Sequence, residues 1–190
     1  MFTPAPTSPV SPTTVPPSAP MTPRLLTAAE AQVFRQLRAE MLQDTPSAFT
    51  ASAEDEAGLS DEEWAARVGP GDNTAVMGVF DGDRLVASAA VFRERALKMC
   101  HKATIWGVYV SPSVRGKGLA KALIVAALQH AAQWPGVRQV CLSVAGNNVS
   151  AHSLYTSLGF VEFAHEPDAV CINGQFIDEK QMVKFLASRL

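Results

Sequence analysis

Residues 109–120 read YVSPSVRGKGLA, in which the end of an apolar run is followed by a turn with two glycines. The apolar run that ends at Val110 is typical of a buried strand, and Pro112 stops the strand because proline lacks a ladder donor. An apolar helix is predicted to follow from Gly118. The first N–H groups of a helix have no intrahelical partner and attract anions. The stretch therefore predicts a phosphate-binding turn, with an ordinary strand, turn and helix as the alternative.

Two common phosphate motifs do not fit this turn. A Walker P-loop requires an earlier glycine and a Ser or Thr after its lysine, whereas Lys117 is followed by Gly118. A dinucleotide fingerprint requires a third glycine where Lys121 stands. An anion site at this turn would therefore belong to a different class.

Residues 115–120, RGKGLA, resemble the Arg/Gln-x-x-Gly-x-Gly/Ala motif of the GNAT superfamily of N-acetyltransferases. A second block, NVSAHSLYTSLGF at residues 148–160, resembles the Asn-x-x-Ala-x-x-Leu-Tyr helix of that family and its Leu-Gly-Phe ending. The resemblance is sharp over residues 105–160 and weak elsewhere. It implies that acetyl-CoA is held by Val108, Tyr109, Val110, Arg115, Gly116, Lys117, Gly118, Leu119, Ala120, Lys121 and Asn148.

The resemblance also implies an activity, the transfer of an acetyl group from acetyl-CoA to a primary amine by direct attack through a tetrahedral intermediate. Backbone at residues 108–110 would hold the pantetheine arm and hydrogen-bond the thioester carbonyl, which stabilises an oxyanion. Tyr155 stands where the family commonly has its general acid, and a phenol near the sulfur would protonate the thiolate. The alternative is that Tyr155 only packs and orders the cofactor, while Asn148 caps the helix.

The general base is not identified by the sequence. Many relatives have a Glu on the strand before the turn or on the strand after the crossover helix, and here Thr104 and Ser143 stand in those places. Either another group takes the proton through water, or the amine binds already neutral. Glu56, Glu94 and His101 are possible substitutes.

The acceptor is an open question between a small molecule and a peptide. In the GNAT family the first helical region borders the acceptor site, which makes Phe49, Glu54, Glu56 and Trp64 candidates for substrate contact. An acidic lining there would suit a cationic amine. The alternative is a solvated acidic face with Trp64 in the core.

Composition favours a single soluble domain with 190 residues, 47% of them hydrophobic and 18% charged. A net charge of −2 argues against a broad nucleic-acid surface, and no apolar run reaches membrane-spanning length. Cys100, Cys141 and Cys171 form no Cys-x-x-Cys pair, so we expect no metal site and reduced thiols in a cytoplasmic protein. A homodimer is a family-based expectation.

Residues 1–20 differ from the rest, since they contain seven prolines and no charged side chain. This composition predicts a disordered or polyproline-like tail. We therefore predict a tail at residues 1–20 and an N-acetyltransferase domain at residues 21–190.

The predicted fold class is α/β, the GNAT fold, with a mixed, largely antiparallel sheet, a central parallel strand pair and flanking helices. Helices are predicted from Thr27 to Pro46, after Ser60, over residues 116–133 and over 149–158. Strands are predicted at residues 24–26, 74–80, 85–92, 102–110, 139–144, 160–165 and 175–185.

Two rival functions remain open at this stage. A GNAT-fold module that binds acetyl-CoA without transferring its acetyl group is conceivable because a Glu is missing at Thr104 and Ser143. An unrelated phosphate-binding α/β enzyme would bind a nucleotide but not coenzyme A.

Overall fold

The computed structural model describes residues 21–186. The predicted tail at residues 1–20 lies outside the described residues. The strands are β1 (Arg24–Leu25), β2 (Thr74–Asp81), β3 (Arg84–Arg93), β4 (Lys102–Val110), β5 (Gln139–Ala145), β6 (Val161–Ile172) and β7 (Gln175–Phe185). The helices are α1 (Ala31–Asp44), α2 (Ala53–Glu56), α3 (Asp61–Val68), α4 (Leu119–Ala131) and α5 (Val149–Ser157).

The seven strands form one sheet in the order β1-β2-β3-β4-β5-β7-β6. Neighbours pair antiparallel except β4 and β5, which are parallel and lie at the centre. Helix α4 is the crossover between them, as a parallel pair requires. This arrangement confirms the predicted fold class.

The helices cover the two faces of the sheet separately. Alternating strand residues point to opposite faces, so Val76 packs with Phe34 of α1 while its neighbour Met77 packs with Leu123 of α4. The α1 cluster also contains the fully buried Trp64 of α3. The chain therefore has one core on each side of the sheet.

Capping boxes begin two of the helices on the α1 side. The Ser60 hydroxyl accepts from the Glu63 N–H at 3.2 Å at the start of α3, as predicted. The same reciprocal arrangement between Ser52 and Asp55 begins α2. Helix α2, a single turn in an acidic segment, was not predicted from the sequence.

Two predicted boundaries also differ from the structure. Helix α4 begins at Leu119 rather than at residue 116. Gly118 has φ +76°, a left-handed conformation that does not occur within a right-handed helix, so the helix starts after it. Strand β6 was predicted to end at residue 165 but continues to Ile172 across an irregularity between Glu166 and Val170. There Asp168 has φ +52°, and its N–H donates to Asp178 Oδ1 at 3.0 Å.

Candidate active site

The two central parallel strands separate shortly after they pair. Their register covers only Lys102–Thr104 of β4 against Gln139–Cys141 of β5. Beyond these pairs, the facing backbone edges of β4 and β5 have no strand partner among residues 21–186. Unpaired backbone edges can bind an extended polar chain in place of a strand. The separation creates a wedge between two backbone edges that have no strand partner within residues 21–186.

A β-bulge bends β4 at the wedge. Gly107 and Val108 together lie opposite the single residue Ala89 of β3, and Gly107 has φ +62°. The Ser88 hydroxyl donates to the Gly107 carbonyl at 3.3 Å. A bulge turns the strand locally, which explains why the part of β4 that follows leaves β5.

The turn before α4 lies at the open end of the wedge and offers a row of free donors. Within residues 21–186, no acceptor hydrogen-bonds the backbone N–H groups of residues 116–121. A Cβ atom added at Gly116 or Gly118 would meet nothing within 4 Å, and both residues have positive φ. The backbone therefore forms an open, glycine-based concavity of the kind that binds anions.

The charged side chains of this turn differ in what they contact. Arg115 is ion-paired with Asp44 of α1. Lys121 is exposed, lines the cleft and has no carboxylate within 4 Å among the described residues. Lys117 is also exposed but does not line the cleft.

A cleft of about 700 Å³ contains the wedge, the turn and the start of α5. Of the residues that the sequence predicts for the site, the cleft brings together Val108, Tyr109, Val110, Arg115, Gly116, Gly118, Leu119, Ala120, Lys121, Asn148 and Tyr155. Thr104 and Ser143 also line it, whereas Glu94 and His101 do not.

Tyr155 contributes a buried phenol to the cleft. The residue is 6% exposed, and its ring packs edge-on against Phe160 with 5.9 Å between centroids. No group within residues 21–186 hydrogen-bonds its hydroxyl. Burial raises the pKa of Tyr155 to about 12, so the phenol keeps its proton at neutral pH.

Asn148 caps helix α5 at the edge of the same cleft. Its Oδ1 accepts from the Ala151 N–H at 3.1 Å. The amide therefore positions the first turn of the helix that carries Tyr155.

Glu179 of β7 is a cleft residue that the sequence analysis did not select. It lies opposite Ala145 of β5, and Ser143 lies opposite Gln181. Leu142 and Met182 of the same strands are in the α4 core, so by alternation Ser143 and Glu179 face the α1 side. Glu179 is the only carboxylate that lines the cleft in the described part of the chain.

The environment of Glu179 disfavours its charged form. Burial raises the pKa of this half-buried carboxyl, and the negative charge of Glu166 on β6 raises it further. Glu166 lies directly opposite Glu179 in the register of the two strands. A carboxyl in such surroundings can exchange a proton nearer to neutral pH than an ordinary glutamate.

The acidic lining expected from the first helical region was wrong. Glu56 is buried and ion-paired with Arg38 and Arg67, at 3.0 and 2.9 Å. Burial opposes its ionisation, but the hydrogen bonds and charges of the two arginines lower the pKa of Glu56. Phe49 lines the cleft, whereas Trp64 is in the core.

Known structures show the same fold. A Salmonella typhimurium protein, solved with its cofactor acetyl-CoA, superposes with a TM-score of 0.74 over 89% of this chain and 95% of its own. At 19% sequence identity this likeness shows the fold alone.

The mixed sheet with its central, separating parallel pair is the GNAT fold. Residues 34–160 match the model of the Acetyltransferase (GNAT) family, which is more than half of the chain. The chain belongs to the GNAT acetyltransferase family.

Two curated relatives match over shorter stretches. A spermidine N(1)-acetyltransferase from Vibrio cholerae is 34% identical over 43% of this chain and 47% of its own length. A mycothiol acetyltransferase from Amycolatopsis mediterranei is 42% identical over 34% of this chain and 20% of its own length. The chain thus matches less than half the length of either relative.

A metal site and a membrane-spanning helix are both absent from the described residues. Within residues 21–186, no group of three or more His, Cys, Asp or Glu side chains could hold a metal ion. No helix in that range has the length and apolar character needed to cross a bilayer.

Proposed function

We propose that this chain is an N-acetyltransferase that moves an acetyl group from acetyl-CoA to a primary amine. The observation that carries the proposal is the wedge between β4 and β5, which opens onto the free N–H groups of residues 116–121. A ligand with a long polar arm that ends in a pyrophosphate would place the arm in the wedge and the pyrophosphate at these N–H groups.

The residues present fit acetyl-CoA. The N–H groups before α4 and the side chain of Lys121 would hold its pyrophosphate, because each supplies an unpaired donor or a positive charge. The backbone edge of β4 at residues 108–110, which has no strand partner within residues 21–186, would hold the pantetheine arm. When bound, acetyl-CoA supplies an activated acyl group as a thioester.

We assign Glu179 the role of general base. Glu179 lies on the α1 side of the sheet, as do Thr104 and Ser143. A relative with a glutamate in place of Thr104 or Ser143 would present its carboxylate on this same side. An ammonium acceptor must lose one proton before its nitrogen can attack, and Glu179 would take that proton directly or through one water. The nitrogen then forms a bond to the thioester carbonyl carbon and gives a tetrahedral intermediate.

We assign Tyr155 the role of general acid. As the carbon–sulfur bond breaks, the coenzyme A thiolate takes the proton of the phenol. The attacking nitrogen gives up its second proton, which restores the phenol, and the neutral amide and free coenzyme A remain. The hydroxyl lies in the cleft wall, has no hydrogen-bond partner within residues 21–186 and keeps its proton because its pKa is raised, so it is available for this transfer. Donors on β4 would stabilise the oxyanion before the bond breaks.

The test is calorimetric titration with acetyl-CoA, followed by a screen of amines in which released coenzyme A is measured. We expect binding, and release that depends on an amine and on Tyr155. Binding without release on any amine would support the second candidate, a non-catalytic acetyl-CoA-binding module, which Thr104 and Ser143 favour by their lack of a carboxylate. No binding would overturn both.

Three further predictions belong to this proposal. The catalytic domain comprises residues 21–190 and does not need residues 1–20, so the truncated chain would bind acetyl-CoA with unchanged affinity. A homodimer and a cytoplasmic location are the other two.

A further inference from the structure

Arg38 is a buried cation in the wall of the cleft. The residue is 5% exposed and projects from α1 on the side of the sheet that also carries Glu179. Its Cζ lies 5.1 Å from the ring centroid of Phe49 and 5.8 Å from that of Trp106. Both aromatic residues line the cleft. The guanidinium is therefore part of an aromatic-walled region away from the pyrophosphate turn.

The donors of Arg38 are not all used. Its Nε donates to Glu56 Oε2 at 3.0 Å and its Nη2 donates to Oε1 at 3.0 Å. Its Nη1 contacts only the sulfur of Met41, at 3.4 Å, which is a weak acceptor. A guanidinium has five N–H groups, so two of them have no acceptor within residues 21–186. Buried donors without acceptors are costly, and a ligand acceptor would relieve that cost.

The charges around Arg38 do not balance. Arg67 donates to the same Glu56 oxygen at 2.9 Å, so two cations share one carboxylate. The two carboxylates of α1 have partners of their own, because Glu40 pairs with Arg84 and Asp44 with Arg115. The cluster of Arg38, Arg67 and Glu56 carries a net positive charge, which favours an anion beside it.

We propose that the acceptor amine also carries a carboxylate, and that Arg38 binds this carboxylate while the amine faces Glu179. The inference rests on the proposed function and names its substrate class, the amino carboxylates. Arg forms bidentate, charge-assisted hydrogen bonds with carboxylates, which fits a free edge of the guanidinium. A polyamine such as spermidine would meet a like charge at Arg38 and is expected to be a poor acceptor.

The test compares amines that differ only in this charge. Glycine, β-alanine, γ-aminobutyrate and ε-aminocaproate are each assayed beside the amide of the same length, with spermidine as a third arm, and kcat/KM is measured from released coenzyme A. At the best length we expect the carboxylate to exceed its amide by about tenfold or more. Equal use of carboxylates and amides, or a preference for spermidine, would overturn the inference.

Variants then assign the preference to Arg38. We expect Arg38→Gln to reduce kcat/KM for the best carboxylate by about tenfold and to change that of its amide little. Arg35→Gln, on the same helix with a side chain that is 42% exposed, should keep the preference. Retention of the preference in Arg38→Gln would contradict the assignment, and an acetyl-CoA titration shows whether this buried variant has folded.

The inference and the proposed function fail in different ways. If acetyl-CoA binds but no amine is acetylated, the proposed activity fails. Titration of the coenzyme A-loaded protein with the same carboxylates and amides then still decides the inference. Tighter binding of a carboxylate supports it, whereas equal or absent binding of both overturns it.

Discussion

Arg115, the first residue of the anion-binding turn, is ion-paired with Asp44 at the end of helix α1. Its Nε also donates to the Val110 carbonyl at 2.9 Å. The Tyr109 hydroxyl donates to the same Asp44 carboxylate at 3.1 Å. The charge of Arg115 is thus largely compensated within the protein, and the side chain fastens the turn to α1.

This pairing predicts an unequal contribution of the two cations to cofactor binding. We expect Lys121→Ala to weaken acetyl-CoA binding by roughly five- to tenfold, because Lys121 has a free charge at the cleft. Arg115→Ala should have a smaller effect on affinity. Calorimetry at low and high salt tests this, since screening should shrink the Lys121 effect. A larger effect of Arg115 at both salt concentrations would contradict the prediction.

The open space at Gly118 gives a second prediction. Gly118→Ala places a methyl group where the pyrophosphate would lie and forces an alanine to φ +76°. We expect a loss of about 1–2 kcal/mol in the free energy of unfolding and a loss of acetyl-CoA affinity of at least roughly tenfold, because the backbone could no longer approach the phosphates. Urea denaturation and calorimetry measure the two effects.

Gly82→Ala is the matched control for Gly118→Ala. Gly82 has φ +58° and equally open surroundings, but it lies in the turn between β2 and β3 and does not line the cleft. It should lose similar stability and keep its affinity for acetyl-CoA. If both variants lost affinity to the same extent, strain and not the blocked turn would be the cause.

The predictable parts of this fold are those that local chemistry decides. Strand β4 was predicted with its observed bounds, because an apolar run is closed by Ser111 and Pro112. Strand β6 was predicted too short, because Pro167 and Asp168 look like a strand end. The strand continues because its last residues pair with residues 175–177 of β7 and because Asp178 accepts the Asp168 N–H. No local pattern reveals either contact.

The residues of the candidate site likewise divide into those that a local motif reveals and those that it does not. The turn at residues 115–120 and Tyr155 belong to contiguous motifs, and the sequence could select them. Glu179 and Arg38 were missed because their positions depend on pairing between distant strands and helices. The Glu at residue 179 becomes a cleft residue only through its register with Ala145, and Arg38 meets Glu56 across 18 positions of chain.

Tyr155 gives a third prediction, because acid catalysis and packing can be separated there. Tyr155→Phe keeps the ring against Phe160 and removes a hydroxyl that has no partner within residues 21–186. We expect kcat to fall by about 100-fold, with acetyl-CoA affinity unchanged and the free energy of unfolding unchanged or slightly higher. Steady-state kinetics and urea denaturation measure these quantities. A Phe variant with normal turnover would leave Tyr155 a packing residue only.

Glu166 and Glu179, two carboxylates that lie opposite each other on β6 and β7, give the last prediction, which is the direction in which activity changes with pH. If Glu179 is the base, it must be ionised, so kcat/KM should fall as pH decreases through its raised pKa. Glu179→Gln should have low activity without this acid limb. Glu166→Gln removes one source of the raised pKa, and its acid limb should therefore move to lower pH while the maximal rate is kept.

The raised pKa of Glu179 also affects stability, and in the direction opposite to its effect on activity. Because the folded state binds the Glu179 proton more tightly than the unfolded state, the free energy of unfolding should decrease as pH rises from the ordinary carboxyl range through the raised pKa. Glu179→Gln should remove that decrease and be the more stable protein at neutral pH. Rate profiles and urea denaturation across this range test both signs together. An acid limb that persists unchanged in Glu179→Gln would show that another group is the base.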